Sequence, residues 1–285
     1  MSKVSKPLPL FRLPTLLLTK IIRYMNLKEI FMVSLASKKS AYIIGSLLPP
    51  NLFNLEIDFS VESKATVGAE KHWIDPLVIK RMGVYGRPVA KQFCDVCSQW
   101  AEGDSVKSLL THLANVFNPT ISIDFGKICH QEFVMEVMNL VKQLNLVKKS
   151  IYVSCAALSP ENYKYILDEC KTIFQLSLFC EISSDFEYRA GPDFRMVYLY
   201  VSDGHWVHLE DFTNCNRAIV HNHHHHQQPK YANPEVLRAF IRKWIESECR
   251  LQHLEVYGGF ILFPFREVLS GLEYRSVLVP SLQYS

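Results

Sequence analysis

The stretch LPTLLLTKIIRYMNLKEIFMVSLASKKS, Leu13 to Ser40, decides how this chain begins to fold. From Thr15, the residues Leu17, Leu18, Ile21, Ile22 and Met25 recur at helical spacing and predict a first helix. Asn26 then stands as an N-cap, and Glu29, three positions on, can reach back to the cap's own backbone N–H. That pairing starts a second helix through Ile30, Phe31, Val33 and Leu35. Ser37 caps a third, which carries Ala41, Ile43 and Ile44 until Gly45 and Pro49-Pro50 stop it. From Leu13 to Ile44, 19 of 32 residues are apolar, spread over more than one face of each helix. Three short helices cannot hide that much by themselves, so the surplus packs on the rest of the chain or on another protein.

The run resembles the F-box, a motif of this size whose family docks on a Skp-type adaptor of cullin-RING ubiquitin ligases. Leu13-Pro14 stands at the family's Leu-Pro, Ile21-Ile22 at its Ile-Leu, Tyr24-Met25 at its Tyr-Leu, and Leu27 to Ile30 at its Leu-Lys-Asp-Leu. Ser34-Leu35 and Ser37-Lys38 continue the register without a gap. Two positions depart from it: Leu16 replaces a common acid, and Ser40 replaces a frequent Trp, which removes a large apolar contact. The resemblance implies an adaptor-docking surface of Leu13, Pro14, Leu17, Ile21, Met25, Ile30, Phe31, Leu35 and Lys38. Read from periodicity alone, the same helices serve equally as a cap on the main domain.

Outward from this module, Leu52, Leu55, Ile57 and Phe59 alternate as in a strand, and residues 71–101 are rich in turn formers. Beyond residue 103 short strands alternate with amphipathic helices. Strands are expected at Ile121 to Phe125, Ile151 to Cys155, Met196 to Val201 and Arg217 to Val220, and a helix at Gln131 to Leu146. Ser159-Pro160-Glu161 and Asn233-Pro234-Glu235 each open a helix with a cap, a proline at the first position and an acid in the first turn. In the second of these, Val236, Phe240 and Trp244 form one row and Leu237, Ile241 and Ile245 the next. Cys170-Lys171 before Leu176 and Leu178 is echoed by Cys249-Arg250 before Leu254 and Val256, a weak internal repeat. The expected fold class is therefore α/β: a three-helix module followed by an irregular, leucine-rich-repeat-like domain. A compact sandwich with one sheet is the competing architecture. The run HWVHLEDF at His205 to Phe212, with Cys215, Trp244 and LQHLEVYGG at Leu251 to Gly259, is similar to the type 2 F-box-associated domain abundant in nematode proteins. The expected division is 10–48 for the F-box, 49–103 for a connecting region and 104–285 for the associated, substrate-binding domain.

Composition sets the outer bounds. At 285 residues, 48% hydrophobic and 21% charged, the chain has material for a large core and too little charge for disorder. A net charge of +3 with scattered basic residues demands neither nucleic acid nor an anionic membrane. Pro9, Arg12 and Pro14 interrupt the N-terminal apolar stretch behind Lys3 and Lys6, so no secretion signal is read, and no run is long enough to span a membrane. The 8 cysteines include six in apolar, patterned segments, which fits a reducing compartment, cytoplasmic or nuclear.

Other constellations offer little chemistry. Cys94 and Cys97 have the spacing of half a zinc site without the other half, and a hydrolase built on Cys94 lacks any supporting motif. His221 with His223 to His226 reads as a polar, low-complexity loop. His205 and His208, if on a strand, face opposite sides and make a poor ligand pair, leaving Trp206 a structural role. No G-x-S-x-G, H-E-x-x-H, P-loop or dinucleotide motif occurs, so no catalytic residue, metal or cofactor is expected. On the strand at 196–201, alternation sends Val197, Leu199 and Val201 inward and Tyr198 and Tyr200 outward, as target contacts or under a second helix layer. Together these readings give the expectation of a non-catalytic substrate receptor: a Skp-type adaptor and, through it, a cullin on one side, an unknown target protein on the other. The alternative is a repeat-type interaction protein with an N-terminal helical cap and no ligase role.

Overall fold

The computed structural model describes residues 10–60, 64–69, 76–80, 105–222, 229–247, 249–257 and 268–269. Cys94, Cys97 and the tract His223 to His226 lie outside the described residues, as does most of the turn-rich stretch. The chain forms two compact units: Met1–Leu158 with Ile173–Gln175, and Ser159–Thr172 with Leu176–Ser285.

The first unit opens with α1 (Thr15–Tyr24), α2 (Leu27–Leu35) and α3 (Lys38–Leu47), the three helices read from the sequence. The capping box forms in full: the Glu29 N–H donates to Asn26 Oδ1 at 2.9 Å, and the Asn26 N–H to Glu29 Oε2 at 2.9 Å. Ser37 caps α3 by accepting the Ser40 N–H at 3.0 Å. These bonds satisfy backbone donors that a helix start leaves open.

Five strands follow, β1 (Phe53–Asp58), β2 (Lys64–Ala69), β3 (Leu77–Lys80), β4 (Thr120–Phe125) and β5 (Val147–Val153), in the order β3-β2-β1-β4-β5. β1, β2 and β3 pair antiparallel, whereas β1, β4 and β5 pair parallel. The parallel pairs need crossovers, supplied by α4 (Ser105–Phe117) and α5 (Gln131–Gln143). β3 and α4 were not anticipated, although Val106, Leu109, Leu113 and Phe117 of α4 are buried at helical spacing. β5 starts and ends earlier than expected, which leaves Cys155 beyond the strand. Alternation decides the faces: Ile121, Ile123 and Phe125 of β4 are buried, and Thr120, Ser122 and Asp124 are half-buried. Phe59 stacks on Phe125 at 5.6 Å and meets Phe133 of α5 edge-on at 4.9 Å, tying sheet to helix. Asn118 and Asn145, just past α4 and α5, take φ of 39° and 51°, the left-handed exit that lets each helix turn back into a strand.

The second unit holds α6 (Pro160–Glu169), β6 (Gln175–Leu178), β7 (Tyr198–Val201), β8 (Arg217–His221), α7 (Pro234–Glu246) and β9 (His253–Tyr257), with strand order β6-β7-β8-β9. β7 pairs parallel with β8, and β8 with β9. The expected caps are present, Ser159 accepting the Asn162 N–H at 3.3 Å and Asn233 the Glu235 N–H at 2.9 Å. On α7, Leu237 and Phe240 are buried, but Val236 and Ile245 are exposed, so only part of each expected row reaches the core. Residues 205–208 are not a strand: they form a turn that leads into a 3-10 helix at Leu209–Phe212. The turn delivers a fully buried Trp206 edge-on to Tyr163, Phe186, Tyr188 and Phe212, at centroid distances of 5.5–6.1 Å. Its indole N–H meets no acceptor among the described residues, so Trp206 acts through packing.

Candidate functional site

The N-terminal helices divide their apolar residues between two sides. Leu18 and Ile22 of α1, Ile30 and Phe31 of α2 and Ile44 of α3 are buried. That side seats on α4: the Phe31 ring meets His112 edge-on at 5.7 Å, and Ser34 Oγ lies 2.8 Å from His112 Nε2. Since the Ser34 hydroxyl also donates to the Phe31 carbonyl at 2.6 Å, its remaining role toward His112 is acceptor. The imidazole therefore carries its proton on Nε2, and burial lowers its pKa and favours the neutral ring. α3 crosses α4 so closely at Gly45 that a Cβ there would sit 2.3 Å from the Asn115 carbonyl oxygen. A glycine is required by that approach.

The opposite side of α1 remains in water. Leu16 is 71% exposed, Leu17 49% and Tyr24 91%. Around them, Leu13, Ile21, Met25 and Leu35 are half-buried, and Pro14 and Lys38 are exposed. Of the nine residues expected to dock an adaptor, seven thus reach the surface, while Ile30 and Phe31 are enclosed in the module's own core. For Phe31 the physical reason is α4, whose His112 ring meets it edge-on. Leu16 and Tyr24 belong to the exposed patch, although the expected set omits them. Ser40, where the resemblance would place Trp, is buried, with its hydroxyl 2.8 Å from Ser37 Oγ inside the cap of α3.

A second region lies on the sheet of the second unit. Leu199 and Val201 of β7 are buried as expected, while Val197 precedes the strand and is only half-buried. Tyr198 and Tyr200 are half-buried on the other side. Arg217 of β8 lies over the Tyr198 ring at 5.6 Å. Tyr200 stacks on Phe179 at 4.3 Å, and its hydroxyl lies 3.3 Å from His221 Nδ1. His221 in turn meets Tyr257 at 5.2 Å. Phe179 had no role in the sequence reading, and His221, expected in a polar loop with His223 to His226, instead ends β8, because alternation along one strand says nothing of its neighbours.

The first unit carries a third, polar feature, a groove of ≈ 320 Å³ over β1, β2, β4 and β5 lined by Glu56, Asp58, Lys64, Ser122, Asp124 and neighbours. Asp58 is partly buried, which would raise its pKa, but hydrogen bonds from Ser60 and the Lys64 ammonium at 3.5 Å outweigh this and lower it. Asp124 is pushed up, by burial first and by the Asp58 charge second.

Elsewhere, His205 is buried against Asp203 at 3.0 Å, and His208 sits apart, 3.0 Å from Lys230. Among the described residues no group of three His, Cys, Asp or Glu gathers where it could hold a metal ion. Cys129, Cys155, Cys170, Cys180 and Cys215 are buried, and burial pushes the Cys129 and Cys215 thiols up to about 11, far from a reactive thiolate. No helix among the described residues is long and apolar enough to cross a membrane.

Comparison with known proteins bears on the first of these regions. Residues 10–51 match the F-box domain, a span that takes in all three N-terminal helices. Over 308 aligned positions the chain is 24% identical to the Skn-1 dependent zygotic transcript 15 protein of Caenorhabditis elegans, covering 96% of this chain and 86% of that one. No solved structure matches the chain.

Proposed function

We propose that this chain is a substrate-receptor subunit of a Skp/cullin/F-box ubiquitin ligase. The observation that carries the reading is the F-box match at residues 10–51, together with the exposed Leu16, Leu17 and Tyr24 on a module whose other side is anchored. A Skp-type adaptor would cover that patch, with Leu13, Pro14, Ile21, Met25, Leu35 and Lys38 around it, and bring a cullin with it. Residues 10–48 then form the docking module, 49–103 a connecting region and 104–285 a leucine-rich-repeat-like, type 2 F-box-associated domain that holds an unknown target protein. Sequential parallel strands with helical crossovers are consistent with such a repeat. The chain's contribution would be proximity: two non-covalent contacts raise the effective concentration of a target lysine near a ubiquitin-charged enzyme, in the cytoplasm or nucleus.

The seating of Phe31 and Gly45 on α4 favours a second reading, in which the helices serve only as a cap on their own domain. It also dictates the experiment, since deleting residues 1–48 would expose α4 and confuse unfolding with lost docking. Leu17→Asp leaves the anchored side alone. The full chain co-expressed with a Skp-type adaptor should elute as a stoichiometric complex on gel filtration. Leu17→Asp should abolish the complex and leave the thermal unfolding midpoint unchanged. A wild-type chain that elutes alone would overturn the receptor reading in favour of the cap.

A further inference from the structure

We infer that the exposed side of the three-helix module is a basic face for an acidic protein surface, and that association there is steered by charge. The inference rests on the receptor reading only in assigning that acidic surface to the Skp-type adaptor.

The chain's near-balanced total charge hides an uneven distribution. Between Leu10 and Leu48 stand six cations, Arg12, Lys20, Arg23, Lys28, Lys38 and Lys39, against one acid, Glu29, whereas the whole chain carries only +3. All six are exposed, and none of them pairs with a carboxylate among the described residues. The carboxylate of Glu29 is committed to the Asn26 N–H. On α1, which holds no acid, the cations join the apolar patch: Leu16, Lys20, Arg23 and Tyr24 recur at helical spacing on the side opposite the buried Leu18 and Ile22.

Such a surplus of positive charge calls for an anionic partner, and the apolar residues among the cations decide which kind. Nucleic acid is disfavoured: contacts to its phosphates would leave Leu16 and Leu17 in water, and aliphatic side chains offer its bases no stacking platform. A membrane is disfavoured because α1 turns Leu18 and Ile22 into the module, which leaves Leu16, Leu17 and Tyr24 as the exposed apolar residues of a helix of 10 residues. A folded acidic surface meets both needs. It can bury the leucines and Tyr24 at the centre while its carboxylates face Lys20 and Arg23 at the rim. Rim charges of this kind set the rate of encounter more than the lifetime of the complex.

The full chain passed over immobilised Skp-type adaptor gives both rate constants by surface plasmon resonance. The association rate constant should fall roughly tenfold from 0.1 M to 1 M NaCl, as the Debye length shrinks from ~10 to ~3 Å. Lys20→Gln combined with Arg23→Gln should slow association about fivefold at 0.1 M, converge with wild type at 1 M and leave dissociation within about twofold. Both side chains are exposed, so the thermal unfolding midpoint should not move. Lys164→Glu, at an exposed position on α6, makes the same change in net charge and should leave every rate unchanged. Association insensitive to salt, a variant deficit that persists at 1 M, or an equal deficit in Lys164→Glu would each overturn the inference. Fluorescein-labelled decaglutamate, followed by polarisation with the same preparations, separates it from the receptor reading. Adaptor bound at salt-independent rates sinks this inference and spares the receptor reading; decaglutamate bound through Lys20 and Arg23 by a chain that ignores the adaptor does the reverse. Neither probe bound ends both, and phosphatidylserine vesicles bound in their place would overturn the inference by assigning the face to a membrane.

Discussion

Along β4, Ser122 and Asp124 alternate with buried Ile121 and Ile123; along β7, Tyr198 and Tyr200 alternate with buried Leu199 and Val201. The buried sides of the two strands are interchangeable in kind. Their other sides are opposite in chemistry, hydroxyls and carboxylates in the first unit, rings and imidazoles in the second. Alternation fixes which residues leave the core, and only the identity of those residues decides what a face can bind. A carboxylate pair and an aromatic row also cost the fold differently, since the first carries charge repulsion and the second adds stacking.

The sharpest contrast is between the two aromatic sets of the second unit. Trp206 is fully enclosed among four rings, so Trp206→Ala should cost ~3–5 kcal/mol through lost burial and a residual cavity. Tyr257→Ala, at the exposed end of the Phe179–Tyr200–His221–Tyr257 row, should change stability by no more than ~0.5 kcal/mol. Urea unfolding measures both. A Tyr257 cost near that of Trp206 would mean that the row is core, and the division between holding the fold and facing solvent would fail.

The polar face yields a smaller effect with a distinctive pH dependence. Asp58 and Asp124 are register partners on β1 and β4, and the two pKa shifts are opposite. The folded-state pKa of Asp124 lies above its ordinary 3.8, so its carboxylate costs stability once the pH exceeds that pKa, and the cost vanishes below about 3.8. Asp124→Asn should stabilise at pH 7 and have no effect near pH 3. Asp58 is lowered, so its contribution is present above 3.8 and is lost as the pH falls through its folded value. Asp58→Asn should accordingly destabilise at pH 7. Thermal unfolding of both variants from pH 3 to 7 decides it, and effects of the same sign at pH 7 would show that Lys64 serves both carboxylates equally.

How much of this could be read beforehand depended on range. The caps at Asn26, Ser37, Ser159 and Asn233 were legible because donor and acceptor lie within three residues of each other. So were the buried positions of β4 and β7, which follow from period two. α4 had a readable period in Val106, Leu109, Leu113 and Phe117 and was passed over behind a long turn-rich stretch. The enclosure of Phe31 was not legible, because it depends on His112, some eighty positions later. The same holds for the Asp58–Asp124 juxtaposition and for the Phe179–Tyr200–His221–Tyr257 row, each set by registers between strands distant in sequence. The expected docking residues come from a local motif, and the motif could not say which of them the chain itself would cover.

The finest difference between the faces lies in how each holds its cation. Lys64 is paired with Asp58 at 3.5 Å, a charge–charge contact at a half-exposed site. Arg217 sits over the Tyr198 ring at 5.6 Å, where the partner carries no net charge. Both contacts are worth only ~0.2–1 kcal/mol at such exposure. Salt separates them, because the Debye length falls from ~10 Å at 0.1 M to ~3 Å at 1 M and weakens the attraction between two ions at half-exposed sites. The attraction to a ring quadrupole is short-ranged and rests partly on dispersion, so it has less to lose. Double-mutant cycles of Lys64→Met with Asp58→Asn and of Arg217→Met with Tyr198→Leu, run at 0.1 M and 1 M NaCl, should show the first coupling energy falling by more than half and the second nearly constant. Equal salt sensitivity would mean that Arg217 answers to a carboxylate and not to the ring, and the second face would then be polar in the same sense as the first.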